Sequence, residues 1–184
     1  MITVIALNPA VDKIYYIDNF TAGGLYRISE VVKSAGGKGM NVARVAAILG
    51  ENLNIIGFKA GHTGEWLESE IRKYGVYTHF TNVKGESRIN SNIIDKVSRL
   101  ETEILEAGPE VTAVNMDFFM AAFKALLGCT SVLVCTGGLP SGLADDTYMK
   151  LITMAKTLGI KTVLDSSGTV LEQGIEAGPY LVKP

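Results

Sequence analysis

Short apolar runs alternate with longer amphipathic stretches along most of the chain. The runs are rich in β-branched residues and have the length of buried strands; they occupy residues 2–7, 54–58, 131–135, 161–164 and 180–182. The amphipathic stretches predict helices at residues 39–49, 64–74, 117–127 and 145–158, the last with Asp145 and Asp146 in its first turn. Strands that alternate with helices predict an α/β fold, a doubly wound and mainly parallel sheet flanked by helices.

Two segments interrupt this alternation, at about residues 13–34 and 85–106. Both carry short period-two patterns, such as Ile14 with Tyr16 and the run from Arg88 to Ile93. We expect them to form strands outside the main sheet. A small β-sheet lid over an α/β core would shield reacting groups from water, and surface hairpins without a role are the alternative.

Composition excludes several classes of protein. The chain has 184 residues, 47% of them hydrophobic, which suffices for one domain or for a domain with a subdomain. A net charge of -2 and scattered basic residues argue against nucleic-acid binding. Cys129 and Cys135 lack the neighbours of a zinc site, and we read them as thiols of a reducing compartment. Because no apolar stretch reaches spanning length and residue 2 already begins a strand, we expect a cytoplasmic protein without membrane contact.

The strongest local signal is a glycine-rich loop at residues 35–43. Three glycines and Lys38 stand directly before a predicted helix, whose first N–H groups and dipole favour an anion. The loop has neither the Walker A nor the dinucleotide-binding spacing. An ordinary helix entry is the alternative, and Lys38 with Asn41 favours a binding site.

Asp12 and Arg88 are candidate ligand-binding residues. Asp12 follows the first strand, and we place it at the carboxyl end of that strand, where open α/β sheets bind ligands. An ionised carboxylate accepts hydrogen bonds, which suits sugar hydroxyls. Arg88 can clamp a phosphate, and alternation puts Asn90 on the same face. Solvated surface side chains are the alternative for each.

Two further segments follow predicted strands. Gly138 lies in a glycine-rich turn at residues 136–142, which would let a substrate approach the backbone or could be a plain turn. Ser141 is not in a G-x-S-x-G elbow, which argues against a hydrolase. Residues 165–168, Asp-Ser-Ser-Gly, follow another strand, and the chain ends with Lys183 and Pro184 directly after the last one. A parallel sheet would normally continue into another helix.

Taken in order, these segments resemble the ribokinase-like PfkB family over essentially the whole chain. The resemblance rests on Asn-Pro-Ala-Val-Asp at residues 8–12, the glycine-rich loop at residues 36–43, Arg-Ile-Asn at residues 88–90, Gly-Leu-Pro at residues 138–140, residues 165–168 and the final Lys-Pro. Within the family it is closest to the branch of 1-phosphofructokinase and tagatose-6-phosphate kinase.

The resemblance implies a role for each matching position. Asp12, Gly37 and Asn41 would bind sugar hydroxyls. Lys38 and Arg88, helped by Arg27, would hold the phosphate already on the substrate. Asn90 and Gly138 would line the same pocket, and Lys183 would lie near the nucleotide phosphates. The two irregular segments match the family's β-sheet lid, which often forms a homodimer interface.

The family's second signature, a Gly-Ala-Gly-Asp loop with the catalytic aspartate, has no counterpart, since the chain contains no Gly-Asp dipeptide. We therefore read residues 1–184 as the N-terminal part of a kinase domain that lacks its nucleotide-binding part, with no catalytic or metal-binding residue, and expect it to be inactive alone.

The complete enzyme would use ATP and Mg²⁺ to phosphorylate a hexose phosphate, with fructose 1-phosphate becoming fructose 1,6-bisphosphate. A tagatose-6-phosphate kinase is one alternative, and a non-catalytic sugar-phosphate-binding protein is another. Lys38 and Arg88 argue against a kinase for neutral sugars, because two cations would face an uncharged ligand.

Overall fold

The computed structural model describes residues 1–184, which form ten strands and five helices. The strands are β1 (Ile2–Ala6), β2 (Ala10–Ile17), β3 (Val31–Gly36), β4 (Leu53–Ala60), β5 (Tyr77–Val83), β6 (Arg88–Asp95), β7 (Glu101–Leu105), β8 (Val132–Thr136), β9 (Lys161–Asp165) and β10 (Leu181–Lys183). The helices are α1 (Lys38–Ile48), α2 (Gly61–Arg72), α3 (Ala113–Leu127), α4 (Thr147–Thr157) and α5 (Gly168–Glu176). None of these helices has the length and apolar character needed to cross a membrane.

Six strands form a parallel sheet in the order β10-β9-β8-β1-β4-β5. Its central strands are buried on both faces, as Ile5 of β1 and Ile56 of β4 illustrate by their complete burial. One face packs against α3 and α4 through side chains such as Phe119 and Tyr148, and the other packs against α1 and α2. The predicted doubly wound sheet is therefore confirmed.

The remaining strands form a separate small sheet in the order β3-β2-β6-β7. β2 pairs antiparallel with β3 and parallel with β6, and β7 completes the sheet on the far side of β6. These strands lie in the two segments that interrupt the alternation, extended to Ala10 and Gly36. The prediction of extra strands outside the main sheet is confirmed, while their action as a lid stays a prediction.

Several predicted boundaries were wrong. α4 begins at Thr147, so Asp145 and Asp146 precede the helix and do not lie in its first turn. α3 begins at Ala113, four residues earlier than predicted, because Thr112 caps it reciprocally with Asn115. Strand β5 and helix α5 were not predicted. β5 lies at the edge of the sheet, where polar side chains are tolerated, and this weakened its apolar pattern.

The carboxylate of Asp95 organises the tip of the small sheet. It accepts hydrogen bonds from the backbone amides of Asn19 (3.0 Å), Phe20 (3.1 Å) and Val97 (2.9 Å) and from the Ser98 hydroxyl (2.8 Å). The bonds from Val97 and Ser98 contribute most to lowering the pKa of Asp95 to about 2. One side chain thus ties the loop after β2 to the turn between β6 and β7.

We expect this tie to make the stability of the small sheet depend on pH. Because the pKa of Asp95 is lowered from 3.8 to about 2, its contribution is complete above pH 3.8 and is lost as the pH falls towards 2. The protection factors of the amides of residues 17–20 and 95–99, which correct for the intrinsic pH dependence of exchange, should therefore fall in that interval. Asp95→Asn should already exchange faster at pH 6, and its difference from wild type should shrink at low pH. A constant difference between pH 6 and pH 2 would contradict this role.

Candidate functional site

A polar cavity of about 450 Å³ lies between the small sheet and the N-terminus of α1. Six predicted site residues line it; they are Asp12, Gly37, Lys38, Asn41, Arg88 and Asn90. A second cavity of about 140 Å³ shares Gly37, Lys38 and Arg88 with the first and extends to Gly138 at the carboxyl end of β8. Residues far apart in sequence thus meet around one continuous concave surface.

Asp12 is the third residue of β2, so its predicted place at the end of the first strand was wrong. β1 ends at Ala6 and β2 begins directly after Pro9. In the small sheet Asp12 is in register with Asn90 of β6 and Ser34 of β3. Gly36, at the end of β3, lies against the Asp12 side chain, and a Cβ atom at this position would overlap the Asp12 carboxylate. Glycine at position 36 therefore leaves the space in which this carboxylate lies.

Asn90 supports Asp12 and keeps an acceptor for a ligand. Its Nδ2 donates to Oδ1 of Asp12 at 2.9 Å, which holds the carboxylate in place. Its own Oδ1 is buried without a hydrogen-bond partner, as is Oδ1 of Asn92, which lines the same cavity. Buried unpaired acceptors are uncommon in folded proteins and suit a ligand that brings O–H donors.

The glycine-rich loop forms the floor of the cavity. Gly37 precedes α1 with φ 84°, a left-handed conformation that favours glycine. The first N–H groups of α1 have no partner within the helix, and the first turn holds no acidic residue. Arg44 donates to Oδ1 of Asn41 at 2.7 Å, so the amide nitrogen of Asn41 remains available to a ligand. This floor is suited to an anion or to an acceptor oxygen.

Arg88 forms the cationic wall. Its Nε donates to the backbone oxygen of Asn8 at 3.1 Å, which ties β6 to the link between the two sheets. Burial lowers the pKa of Arg88, and the nearby Asp12 carboxylate opposes that shift. A guanidinium remains charged at neutral pH because its ordinary pKa lies above 12.

The carboxylate of Asp165, at the end of β9, connects two lysines. Oδ1 lies 3.4 Å from Nζ of Lys38 and 3.2 Å from Nζ of Lys183, and Oδ2 accepts from the Thr136 hydroxyl at 2.9 Å. Burial alone would raise the pKa of Asp165, but the bonds from Thr136 and Lys183 and the charge of Lys38 outweigh it, so the pKa is lowered. The sequence marked Asp165 only as part of a motif after a strand and gave it no role.

Arg27 lies apart from this surface. It borders another cavity of about 410 Å³, formed by the loop after β2, which includes Tyr26, together with Tyr16 and Lys96. Within one chain, Arg27 is therefore not brought to the other predicted phosphate ligands.

Among residues 1–184, no group of three or more His, Cys, Asp or Glu side chains could hold a metal ion, and we assign no Mg²⁺ ligand to this chain.

The sequence profile of the pfkB carbohydrate kinases matches residues 2–184. Two similar relatives are the tagatose-6-phosphate kinase of Staphylococcus epidermidis, 38% identical, and the 1-phosphofructokinase of Bacillus subtilis, 37% identical. The alignments cover 100% of this chain and 59% of either relative, so the chain spans less than two thirds of their length. A crystal structure of a possible 1-phosphofructokinase from Thermotoga maritima superimposes with a TM-score of 0.93 at 33% identity, over 100% of this chain and 59% of that one.

Proposed function

The chain belongs to the pfkB family of carbohydrate kinases, and from that premise we propose that the protein, expressed to its natural stop codon, transfers the γ-phosphoryl group of ATP to fructose 1-phosphate. The product is fructose 1,6-bisphosphate. The cavity that unites Asp12, Asn90, Arg88 and Lys38 supports this proposal most directly, because it offers hydroxyl acceptors beside two cations. The name of the Bacillus subtilis relative supports the choice of substrate.

Residues 1–184 supply the acceptor side of this reaction. Asp12 and the unpaired oxygen of Asn90 accept hydrogen bonds from sugar hydroxyls and fix the orientation of the ring. Arg88, with Lys38 beside it, holds the phosphate already on the sugar, because a guanidinium pairs bidentately with phosphate oxygens. Gly37 and Gly138 let the substrate lie close to the backbone, and the amide nitrogen of Asn41 donates to a sugar hydroxyl.

In the transfer, a hydroxyl oxygen of the acceptor forms a bond to the γ-phosphorus, and the bond from that phosphorus to the β–γ bridging oxygen breaks. ADP leaves with the electron pair, and the hydroxyl proton passes to a carboxylate base. We propose that this base is the aspartate of a Gly-Ala-Gly-Asp loop, by resemblance to the family; residues 1–184 contain no such loop. Lys183 would hold nucleotide phosphate oxygens, and Mg²⁺ bound with the nucleotide would neutralise part of their charge.

Tagatose 6-phosphate is the second candidate acceptor, because the Staphylococcus epidermidis relative is named for it at nearly equal identity. Both substrates present one phosphate and several hydroxyls, so the same cavity can receive either.

We propose a cytoplasmic location for the enzyme.

We also propose that two chains associate through their small sheets. Tyr16 of β2 and Val32 of β3 are 45% and 40% exposed, and Leu25 in the loop between these strands is 81% exposed. Such apolar exposure suits a protein interface. Sedimentation equilibrium of the full-length protein should give a dimer that Tyr16→Asp weakens; a monomer at all concentrations would contradict the association.

A coupled ADP-release assay tests the proposed activity. The protein expressed to its stop codon is given ATP and Mg²⁺ with fructose 1-phosphate, tagatose 6-phosphate or unphosphorylated fructose. We expect turnover with a sugar phosphate and little with fructose. Tight binding of the sugar phosphate without turnover would favour the non-catalytic binding protein, and preference for fructose would contradict the assignment of the cations.

A further inference from the structure

The ion cluster at the carboxyl ends of β8, β9 and β10 brings together residues from both ends of the chain. Asp165 shares one carboxylate oxygen between Lys38 of α1 and Lys183 of β10, at 3.4 and 3.2 Å. Only 15% of the Asp165 side chain is exposed, compared with 50% for Lys38 and 68% for Lys183. The anion is thus fixed in the protein, while each cation also faces solvent.

Asp165 is itself held from a second direction. The Thr136 hydroxyl donates to Oδ2 at 2.9 Å, and Thr136 is buried at the end of β8. The backbone oxygen of Asp165 also accepts from the amide of Gly137 at 2.9 Å. The Thr136 bond engages the carboxylate oxygen that the lysines leave free, and the Gly137 bond fixes the backbone that carries the carboxylate. A rigid anion that accepts from two flexible cations determines where both ammonium groups lie.

Lys38 borders both cavities, the larger together with Asp12 and Asn90 and the smaller together with Thr136 and Gly137. We infer that Asp165 is a positioning residue, which holds the ammonium groups of Lys38 and Lys183 where the transferring phosphoryl group passes between donor and acceptor. The inference rests on the proposed function. In it, Lys38 serves both the sugar phosphate and the moving phosphoryl group.

The expected consequence separates binding from turnover. With Asp165 in place, two lysines and one carboxylate carry a net charge of +1, and an amide at this position leaves +2. Ground-state attraction for anionic substrates therefore does not weaken in Asp165→Asn. The transition state, however, requires cations already in place around the equatorial oxygens, so loss of the anchor lowers the rate.

The test begins with Asp165→Asn in the full-length protein. We expect kcat to fall about tenfold, as misplacement of groups around a reacting centre can cost this much or more. The KM values for the sugar phosphate and for ATP should stay equal or decrease. Thr136→Val should show the same change more weakly, and Asp165→Glu should restore part of kcat. Asp117→Asn, on an exposed part of α3, is the matched control and should leave both parameters unchanged.

Three kinetic outcomes would overturn the inference. One is a raised KM with unchanged kcat, which would make Asp165 part of substrate binding. Another is recovery of kcat by excess Mg²⁺, which would make Asp165 a metal ligand. The third is unchanged kcat and KM. A wild-type protein without turnover on any sugar phosphate would instead contradict the proposed function.

Limited reductive methylation with formaldehyde examines the lysines without reference to activity. If Asp165 holds both ammonium groups, Asp165→Asn should methylate Lys38 and Lys183 roughly two- to fivefold faster, the factor expected on loss of a partly exposed ion pair. Lys124, exposed on α3, should react at the same rate in both proteins. Equal rates for Lys38 and Lys183 in wild type and variant would refute the positioning role.

Discussion

Arg88→Ala in the full-length protein should raise the KM for the sugar phosphate roughly 10- to 100-fold, the expected cost of losing charge-assisted hydrogen bonds to a phosphate. The guanidinium lines both cavities, where it stands beside Lys38. Its position is fixed by the bond from Nε to the Asn8 backbone oxygen. In the proposed function Arg88 binds the phosphate that does not react, and kcat should therefore change less than KM.

Arg88→Lys is the matched variant, since it keeps the charge and loses the planar fork. We expect its KM to lie between those of wild type and Arg88→Ala. Steady-state kinetics with fructose provides the control, because an acceptor without a phosphate should be used equally poorly by all three proteins. Thermal unfolding identifies any defect that comes from the lost bond to Asn8. An unchanged KM in a folded Arg88→Ala protein would remove Arg88 from the phosphate site.

The central sheet could be predicted from the sequence because its strands are buried on both faces. β1, β4 and β8 therefore consist mainly of apolar residues, which made them recognisable. β5 has one neighbouring strand, and its exposed edge accommodates polar residues such as His79 and Asn82. α5 has nine residues and contains Gly174, which packs against Leu164 where a larger residue would not fit. A helix that depends on such a contact has a weak local signal.

The candidate site was predictable in its residue types and less so in its geometry. The glycine-rich loop and Arg88 predicted an anion site from the sequence, because the glycines, Lys38 and the helix start are adjacent in the chain and an arginine can bind an anion in any fold. Asp12 was misplaced because it was assigned to the end of the first strand, whereas it lies in a new strand, β2, that pairs with a segment about eighty residues away. The link between Asp165 and Lys38 spans 127 residues and arises only when β9 and α1 meet at one edge of the sheet.

Asp12→Asn should lower kcat/KM for the sugar phosphate roughly 100-fold, because hydrogen bonds from substrate hydroxyls to a charged acceptor contribute about 1.5–3 kcal/mol. Gly36→Ala should give a similar loss, although position 36 has no side chain to offer a ligand. A Cβ atom there would overlap the Asp12 carboxylate, which would have to leave its place beside Asn90. Gly128→Ala is the control, since a Cβ atom at that helical position meets nothing within 4 Å.

The double variant Asp12→Asn with Gly36→Ala distinguishes this explanation from two unrelated defects. If Gly36 acts only by leaving room for the carboxylate, the second substitution should add little to the first, and the double variant should resemble either single one in kcat/KM. Independent defects would multiply, to a loss of roughly 10⁴-fold. Unfolding midpoints of wild type, the two single variants and the double variant show whether Gly36→Ala acts through stability. Asp12→Asn removes the charge of the carboxylate without adding an atom at position 36. Wild-type kcat/KM in Asp12→Asn would exclude Asp12 from the binding of the acceptor.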